Sequence, residues 1–327
     1  MAAKRKATAR PADEAMQAAI EYAEKYSGKD DKLFIEMLNE HYLRSQQPPA
    51  DRRRTIAIQP EPPPPTRSFQ IYSDPRYLEN ARQLARRTQG GYRVIGGAPV
   101  KPGEFLDCVA VGSDAQWGCT GTLIAANVVL TAGHCADFAT RVFIGSDVTK
   151  AGKVVAVKKR VRHPKYHRGG HNDVMVLVLD SPVTTVKPRG LAAKTVIDKA
   201  TDGRVMGFGH TDPMGRFGYG RKRFVDIPVA SPACRGRIGG QDDRYAYGCD
   251  PGLELVAGRP MLERDSCKGD SGGPFYVEGK KDGEWLLAAA TSRATDSAMH
   301  ECGDGGIYAR VDAYRAWIDS IPGVTLS

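Results

Sequence analysis

From residue 94 onward the chain is written in short apolar runs. Stretches rich in Val, Ile, Leu and Thr at 106–111, 121–125, 142–144, 154–161, 174–179, 204–208, 285–291 and 306–311 alternate with clusters of Gly, Pro, Asp and Ser. Runs of this length between turn-forming residues read as strands, and many in succession predict an all-β sandwich or barrel. The period then changes. Val311, Tyr314, Trp317, Ile318 and Ile321 recur every three to four residues, which predicts a closing amphipathic helix. No internal repeat of fixed period is present.

The first 93 residues have another texture. Met16, Ala19, Ile20, Ala23 and Tyr26, then Phe34, Met37, Leu38 and His41 beyond Ser27-Gly28, carry helical spacing. With Asp13 and Asp30 or Asp31 as N-caps they predict two short helices within 12–45. So short a hairpin buries little apolar surface on its own. It reads either as a spacer or chaperone-like pro-segment, or as a docking module for a partner. Pro48-Pro49, Pro60 and the run Pro62 to Pro65 predict an extended, semi-rigid linker. Asp74-Pro75 supplies an N-cap and a proline at the first helical position. Tyr77, Ala81 and Leu84 would line one side of that helix, and Gln89-Gly90-Gly91 would end it. The chain thus divides into a helical segment (1–46), a Pro-rich linker segment (47–93) and a main domain (94–327).

Composition narrows the function classes. Apolar residues make up 41% and charged residues 26%, as in ordinary globular proteins. The longest apolar run, Val174-Met175-Val176-Leu177-Val178-Leu179, is far short of the roughly 20 residues of a membrane helix, so no membrane partner is expected. The net charge of +9 is spread along the chain. Its clusters (Lys4-Arg5-Lys6, Arg52-Arg53-Arg54, Arg86-Arg87) lack interleaved aromatics or a nucleic-acid motif, and read as solvated charge. All seven cysteines lie beyond residue 100. Counting leaves their pairing open, and the absence of CxxC spacing argues against a zinc site. Bridged cysteines would place the protein in an oxidising compartment. The opening MAAKRKATARPADEAMQ has no apolar core of a secretory leader and points instead to the cytoplasm. The two signals pull in opposite directions.

The chemistry concentrates in three places. Gly269-Asp270-Ser271-Gly272-Gly273-Pro274 is a sharp, glycine-flanked turn presenting one serine. Glycines permit positive φ and close approach of a substrate, and successive N–H groups in such a turn form a concavity for an anion. A serine nucleophile needs those donors, a base within reach and a carboxylate to orient the base. Thr131-Ala132-Gly133-His134-Cys135 follows the apolar run Val128-Val129-Leu130 and puts a histidine at a strand end. His171-Asn172-Asp173 puts a carboxylate at the mouth of the 174–179 run. His, Asp, Ser is one of the known chain orders of a triad.

These motifs, with Val94-Ile95-Gly96-Gly97, Arg162-His163-Pro164, Gly207-Phe208-Gly209 and Tyr314-Arg315-Ala316-Trp317-Ile318, resemble the trypsin/chymotrypsin family of serine proteases from residue 94 to the end. The resemblance implies two six-stranded antiparallel Greek-key barrels with a C-terminal helix. It implies a general base His134, an orienting Asp173, a nucleophile Ser271 that forms an acyl-enzyme, and an oxyanion hole from the N–H groups of Gly269 and Ser271. It pairs Cys119 with Cys135, Cys234 with Cys249 and Cys267 with Cys302, and leaves Cys108 a buried thiol. Asp265, six residues before Ser271, stands where trypsin-like members carry the pocket-floor carboxylate, implying cleavage after Lys or Arg. Ser292, Ala294 and Gly306 fall on the pocket walls. Cleavage at Arg93-Val94 would free an α-amino group to pair with Asp270, through the enzyme itself or a separate activating protease. Ser292-Arg293-Ala294 departs from the family's usual Ser-Trp-Gly, replacing an apolar wall with a cation, and Lys268 adds charge at the rim. The loop 142–161 lacks the acidic cluster of calcium-binding members, so no metal or cofactor is expected. The alternatives are a weak or inactive binding protein on a protease scaffold, and an effector protease recruited by a partner of residues 12–45.

Overall fold

The computed structural model describes residues 74–87, 97–211, 217–238, 240–258, 265–296, 298 and 302–326. The helices expected within 12–45, the Pro-rich linker, Arg93 and Val94 lie outside them.

Six of the apolar runs close into a ring. Strands β2 (Cys108–Gly112), β3 (Cys119–Ala125), β4 (Val128–Thr131), β7 (Met175–Leu179), β6 (Lys153–Arg162) and β5 (Arg141–Ile144) pair antiparallel in that order, and β5 returns to β2. These strands are apolar at successive positions because both faces are covered. Val109, Val111, Val129, Met175 and Leu177 fill the barrel interior. Their neighbours Cys108, Ala110, Val128, Leu130 and Val176 face the other way and join the core shared with the second barrel, as the two-residue period of a strand requires. β6 is the exception: it lies outermost, and Lys158, Lys159 and Arg160 are exposed.

The second barrel runs β9 (Arg223–Ser231), β12 (Glu254–Ala257), β15 (Gly306–Arg310), β14 (Trp285–Ala294), β13 (Pro274–Glu278) and β8 (Asp202–Gly207). The β8–β9 pairing closes the ring, and β1 (Ala98–Pro99) adds to the start of β9. The architecture is the expected all-β pair of six-stranded antiparallel barrels. β9, β12 and β13 are absent from the sequence reading: Asp226 and Pro228 interrupt β9, and the apolar centres of β12 and β13 are only three residues long. In β9 the intruding Asp226 is held by the Arg204 guanidinium of β8 at 2.7 and 2.9 Å.

Helices fasten the barrels from outside. α1 (Pro75–Arg87) is the helix expected after Asp74-Pro75. Its cap is formed, with Arg76 N donating to Asp74 Oδ1 at 2.9 Å. Tyr77 and Leu84 are buried, and Asn80 Nδ2 donates to Val229 O of β9 at 2.9 Å. α2 (Lys194–Ile197) lies in the crossover between the barrels. A small hairpin, β10 (Arg237–Ile238) with β11 (Gln241–Asp242), leads into α3 (Asp243–Tyr247). The C-terminal helix α4 (Val311–Asp319) buries Val311, Tyr314 and Ile318. It also reaches the first barrel: His163 packs edge-on against Tyr314 and Trp317, ring centroids 5.2 and 4.8 Å apart.

A buried ionic lock spans the seam. Asp107, ahead of β2, is 2% exposed. It takes two bonds from Arg189 (2.8 and 2.5 Å) and one from the Tyr276 hydroxyl of β13 (2.6 Å), while Arg189 also donates to Trp285 O. Removing one partner of such a pair strands the other charge without water. Asp107→Ala should therefore lower stability by about 3–5 kcal/mol, read as a drop in the urea midpoint. A loss under about 1 kcal/mol would show that the seam does not depend on this lock.

Candidate active site

The three chemical motifs meet at the cleft between the barrels. β4 ends at Thr131 and runs into a 3-10 turn, Gly133–Asp137, that carries His134. Asn172 adopts φ +50°, a kink that Asn tolerates better than most residues. The next residue, Asp173, is 1% exposed. Its carboxylate faces His134, with Nδ1 to Oδ2 at 2.8 Å and the His134 N–H donating to Oδ1 at 2.9 Å. Ser292 Oγ of β14 donates to Oδ2 at 2.7 Å. One of these bonds holds the Nδ1 edge of the ring and another anchors its backbone, so Nε2 is the nitrogen left for chemistry.

The serine turn is pressed against the strand that leads to the histidine. Thr120 N donates to Ser271 O and Gly272 N to Thr291 O, at 2.8 and 2.7 Å. Gly272 has φ +75°, and a Cβ there would come within 2.1 Å of Thr131 Oγ1 and 2.4 Å of Ala132 N. Only glycine lets the two segments approach this closely. Gly269, at φ +98°, packs on Gly209, whose Cα a Cβ would meet at 2.8 Å, and Thr120 Oγ1 donates to its carbonyl at 2.8 Å. The N–H groups of Gly269 and Ser271 meet no acceptor among the described residues. Such unused donors are what an oxyanion needs. Thr120 escapes a sequence reading, since no pattern distinguishes it from other strand threonines.

Two half-buried carboxylates lie by the serine, Asp270 within the turn and Asp265 six residues before Ser271. Asp265 Oδ1 accepts from Tyr308 Oη and Ser266 N, both at 2.7 Å. Burial pushes its pKa up to about 7 against the pull of those donors. Asp270 accepts from Gly209 N (2.8 Å) and Cys267 N (2.9 Å), and burial raises it to about 6. Among the described residues no cation pairs with either. A small cavity lined by Gly97, Gly207, Gly209, His210 and Arg223 opens on Asp270 and touches Asp265. Gly306 starts β15, where Tyr308 Oη would lie 2.9 Å from an added Cβ.

The wall residues differ from the expectation at one point. Arg293 does not lend its charge to the cleft. Its guanidinium bonds Glu254, which is fully buried, at 2.6 and 2.9 Å, and donates to Gly170 O and Gly248 O at 2.9 and 2.8 Å. Ala294 follows on β14, half-buried, and Lys268 is exposed. The bridges are Cys119–Cys135, Cys234–Cys249 and Cys267–Cys302, with Cys108 free and buried.

The family model described as Trypsin matches residues 94–318. The chain belongs to the trypsin family of serine proteases. It is 30% identical over 244 residues to a vitellin-degrading protease of Bombyx mori, covering 70% of this chain and 86% of the relative. Kallikrein-7 of Homo sapiens is 31% identical over 254 residues, 74% and 92% of the two chains. Chymase of Papio hamadryas is 29% identical over 253 residues, 73% and 94%. This trypsin-family chain is accordingly a serine endopeptidase, a hydrolase. Among its described residues no helix is long and apolar enough to cross a membrane.

An aspartate in the unfolded chain titrates near 3.8. Between about pH 4 and 6 the folded chain therefore keeps a proton on Asp270 that the unfolded chain has released. Stability falls as pH rises through that window. Asp270→Asn, in a Ser271→Ala background to prevent autolysis, removes this contribution. Relative to the parent, the variant should gain about 2–3 kcal/mol between pH 4 and 7. A difference that stays constant across that range in urea unfolding would contradict it.

Proposed function

We propose that this trypsin-family chain is the precursor of an endopeptidase that cleaves after Lys and Arg. The observation that carries the specificity is Asp265: a half-buried carboxylate six residues before Ser271, braced by Tyr308 and lacking a cation among the described residues. A lysine or arginine side chain of the substrate would supply the missing charge and restore ionisation.

His134 takes the Ser271 hydroxyl proton as Oγ attacks the carbonyl carbon. Asp173 holds the ring in one orientation and stabilises the imidazolium. The N–H groups of Gly269 and Ser271 receive the oxyanion, each worth roughly 10²–10³-fold in rate. His134 returns the proton to the leaving amine, which departs and leaves an acyl-enzyme. A water activated by the same histidine then hydrolyses the ester.

The proposed activation is cleavage between Arg93 and Val94. The new α-amino group would pair with Asp270, whose carboxylate opens on a cavity and has only N–H partners. Arg93 is itself a residue the Asp265 pocket favours, so self-activation and a separate activating protease both fit this step. The three bridges point to an oxidising compartment for the folded enzyme.

Arg, Lys, Phe and Ala reporter peptides test this against the chain beginning at Val94, the full-length chain and Ser271→Ala. Turnover of Arg and Lys reporters by the Val94 form alone is expected. Asp265→Ser should lower kcat/KM for the Arg reporter by at least about 100-fold, the loss of a buried pair, without a matching loss on Phe. A folded Val94 form that turns over no reporter would favour a binding protein on a protease scaffold.

A further inference from the structure

α1 is attached to the second barrel through charges that the barrel cannot leave uncovered. Asp74 is fully buried. It accepts from Arg76 Nε (2.9 and 3.1 Å) and Nη2 (2.5 Å), and from Tyr247 Oη of α3 at 2.7 Å. Arg76 also donates to Asp243 at 3.0 and 2.8 Å. Asp243 is fully buried too, and its remaining donors are Ser231 Oγ and Gly236 N. Gly236 leaves room for the guanidinium: a Cβ there would lie 1.6 Å from Arg76 Nη1. Tyr77 joins Ala230, Ile238, Ala246, Tyr247 and Ile307 in one apolar cluster. The barrel side therefore presents one buried carboxylate, Asp243, beside an apolar rim, and 74–87 is the segment that covers it.

The far end of α3 reaches the substrate cleft. Tyr247 O accepts from Asp296 N at 3.0 Å, and Gly248 O from Arg293 Nη2 at 2.8 Å. Arg293 holds Gly170, three residues before Asp173, and its neighbour Ser292 bonds Asp173. No cysteine occurs before residue 100, so no bridge can tether residues 1–93 once the chain is cut.

We infer that, after cleavage at Arg93-Val94, the segment 74–87 stays on the protease as a second, non-covalent chain and sustains the α3–Arg293 wall of the cleft. This rests on the activation step proposed above. The surface is a recognition site for an acidic-capped helix with arginine at its second position. Everything N-terminal of the helix, including 12–45, travels with the active enzyme rather than being shed.

The test starts from the full-length chain, nicked at Arg93-Val94 with added trypsin or at a cleavage site inserted between Arg87 and Val94. N-terminal sequencing confirms the cut, and native size-exclusion chromatography at micromolar concentration follows. Residues 1–93 should co-elute with the protease. Arg76→Ala should release them, as should the gentler Asn80→Ala with Leu84→Ala if Arg76→Ala does not fold. The stripped enzyme should show KM raised about tenfold or more on a six-residue Arg peptide while kcat changes little, and a synthetic peptide of residues 70–93 should reverse the rise. Loss of the fragment from the unaltered nicked enzyme, or unchanged KM after stripping, overturns the inference. A nicked chain that keeps the fragment but has no activity counts against the activation step and leaves retention supported.

Discussion

A carboxylate taken out of water must be given donors, and Asp173 sets the terms for the whole cleft. At 1% exposure, its charge is tolerable only because three groups converge on it. Two come from His134 at the end of β4, in the first barrel, and one from Ser292 on β14, in the second. Meeting this demand orients the histidine ring and sets one barrel against the other. It also explains why Arg293, beside Ser292, reaches back to the loop carrying Asp173. The guanidinium closes that loop against the second barrel instead of offering charge to a substrate.

Six further acids withdrawn from water fall into two groups. Asp107 is matched by Arg189, Asp74 and Asp243 share Arg76, and Glu254 is clamped by Arg293. Their cations fasten elements together. Among the described residues Asp265 and Asp270 have neutral donors only, and burial lifts both well above the ordinary aspartate range. A buried acid without a cation is unstable in its charged form, and such groups concentrate at functional sites. These two line one cavity beside the serine turn, where an incoming cation would gain most.

Much of this could be read along the chain. The serine turn, the histidine at the end of Val128-Val129-Leu130 and the aspartate ahead of 174–179 are local patterns, and local backbone rules place them at strand ends. The helix after Asp74-Pro75 was equally legible, since its cap and its Tyr77 and Leu84 face follow from spacing alone. β9 was not, because Asp226 and Pro228 look like breakers until Arg204 is seen opposite Asp226, and β12 and β13 were not, because their apolar centres are only three residues long. Arg293 read as a cation in an apolar wall, since Glu254 lies 39 residues away and no periodicity connects them.

The order of residues by itself determined the all-β class, the closing helix and the types of group available for acyl transfer. It did so because hydrophobic period, turn chemistry and motif spacing act over a few residues. Only the tertiary structure decided which acids are paired and which are left with neutral donors. It alone decided that Thr120 backs the serine turn, and that 74–87 belongs physically to the second barrel. Those outcomes depend on desolvation, which is a property of everything packed around a group and not of its neighbours in the chain.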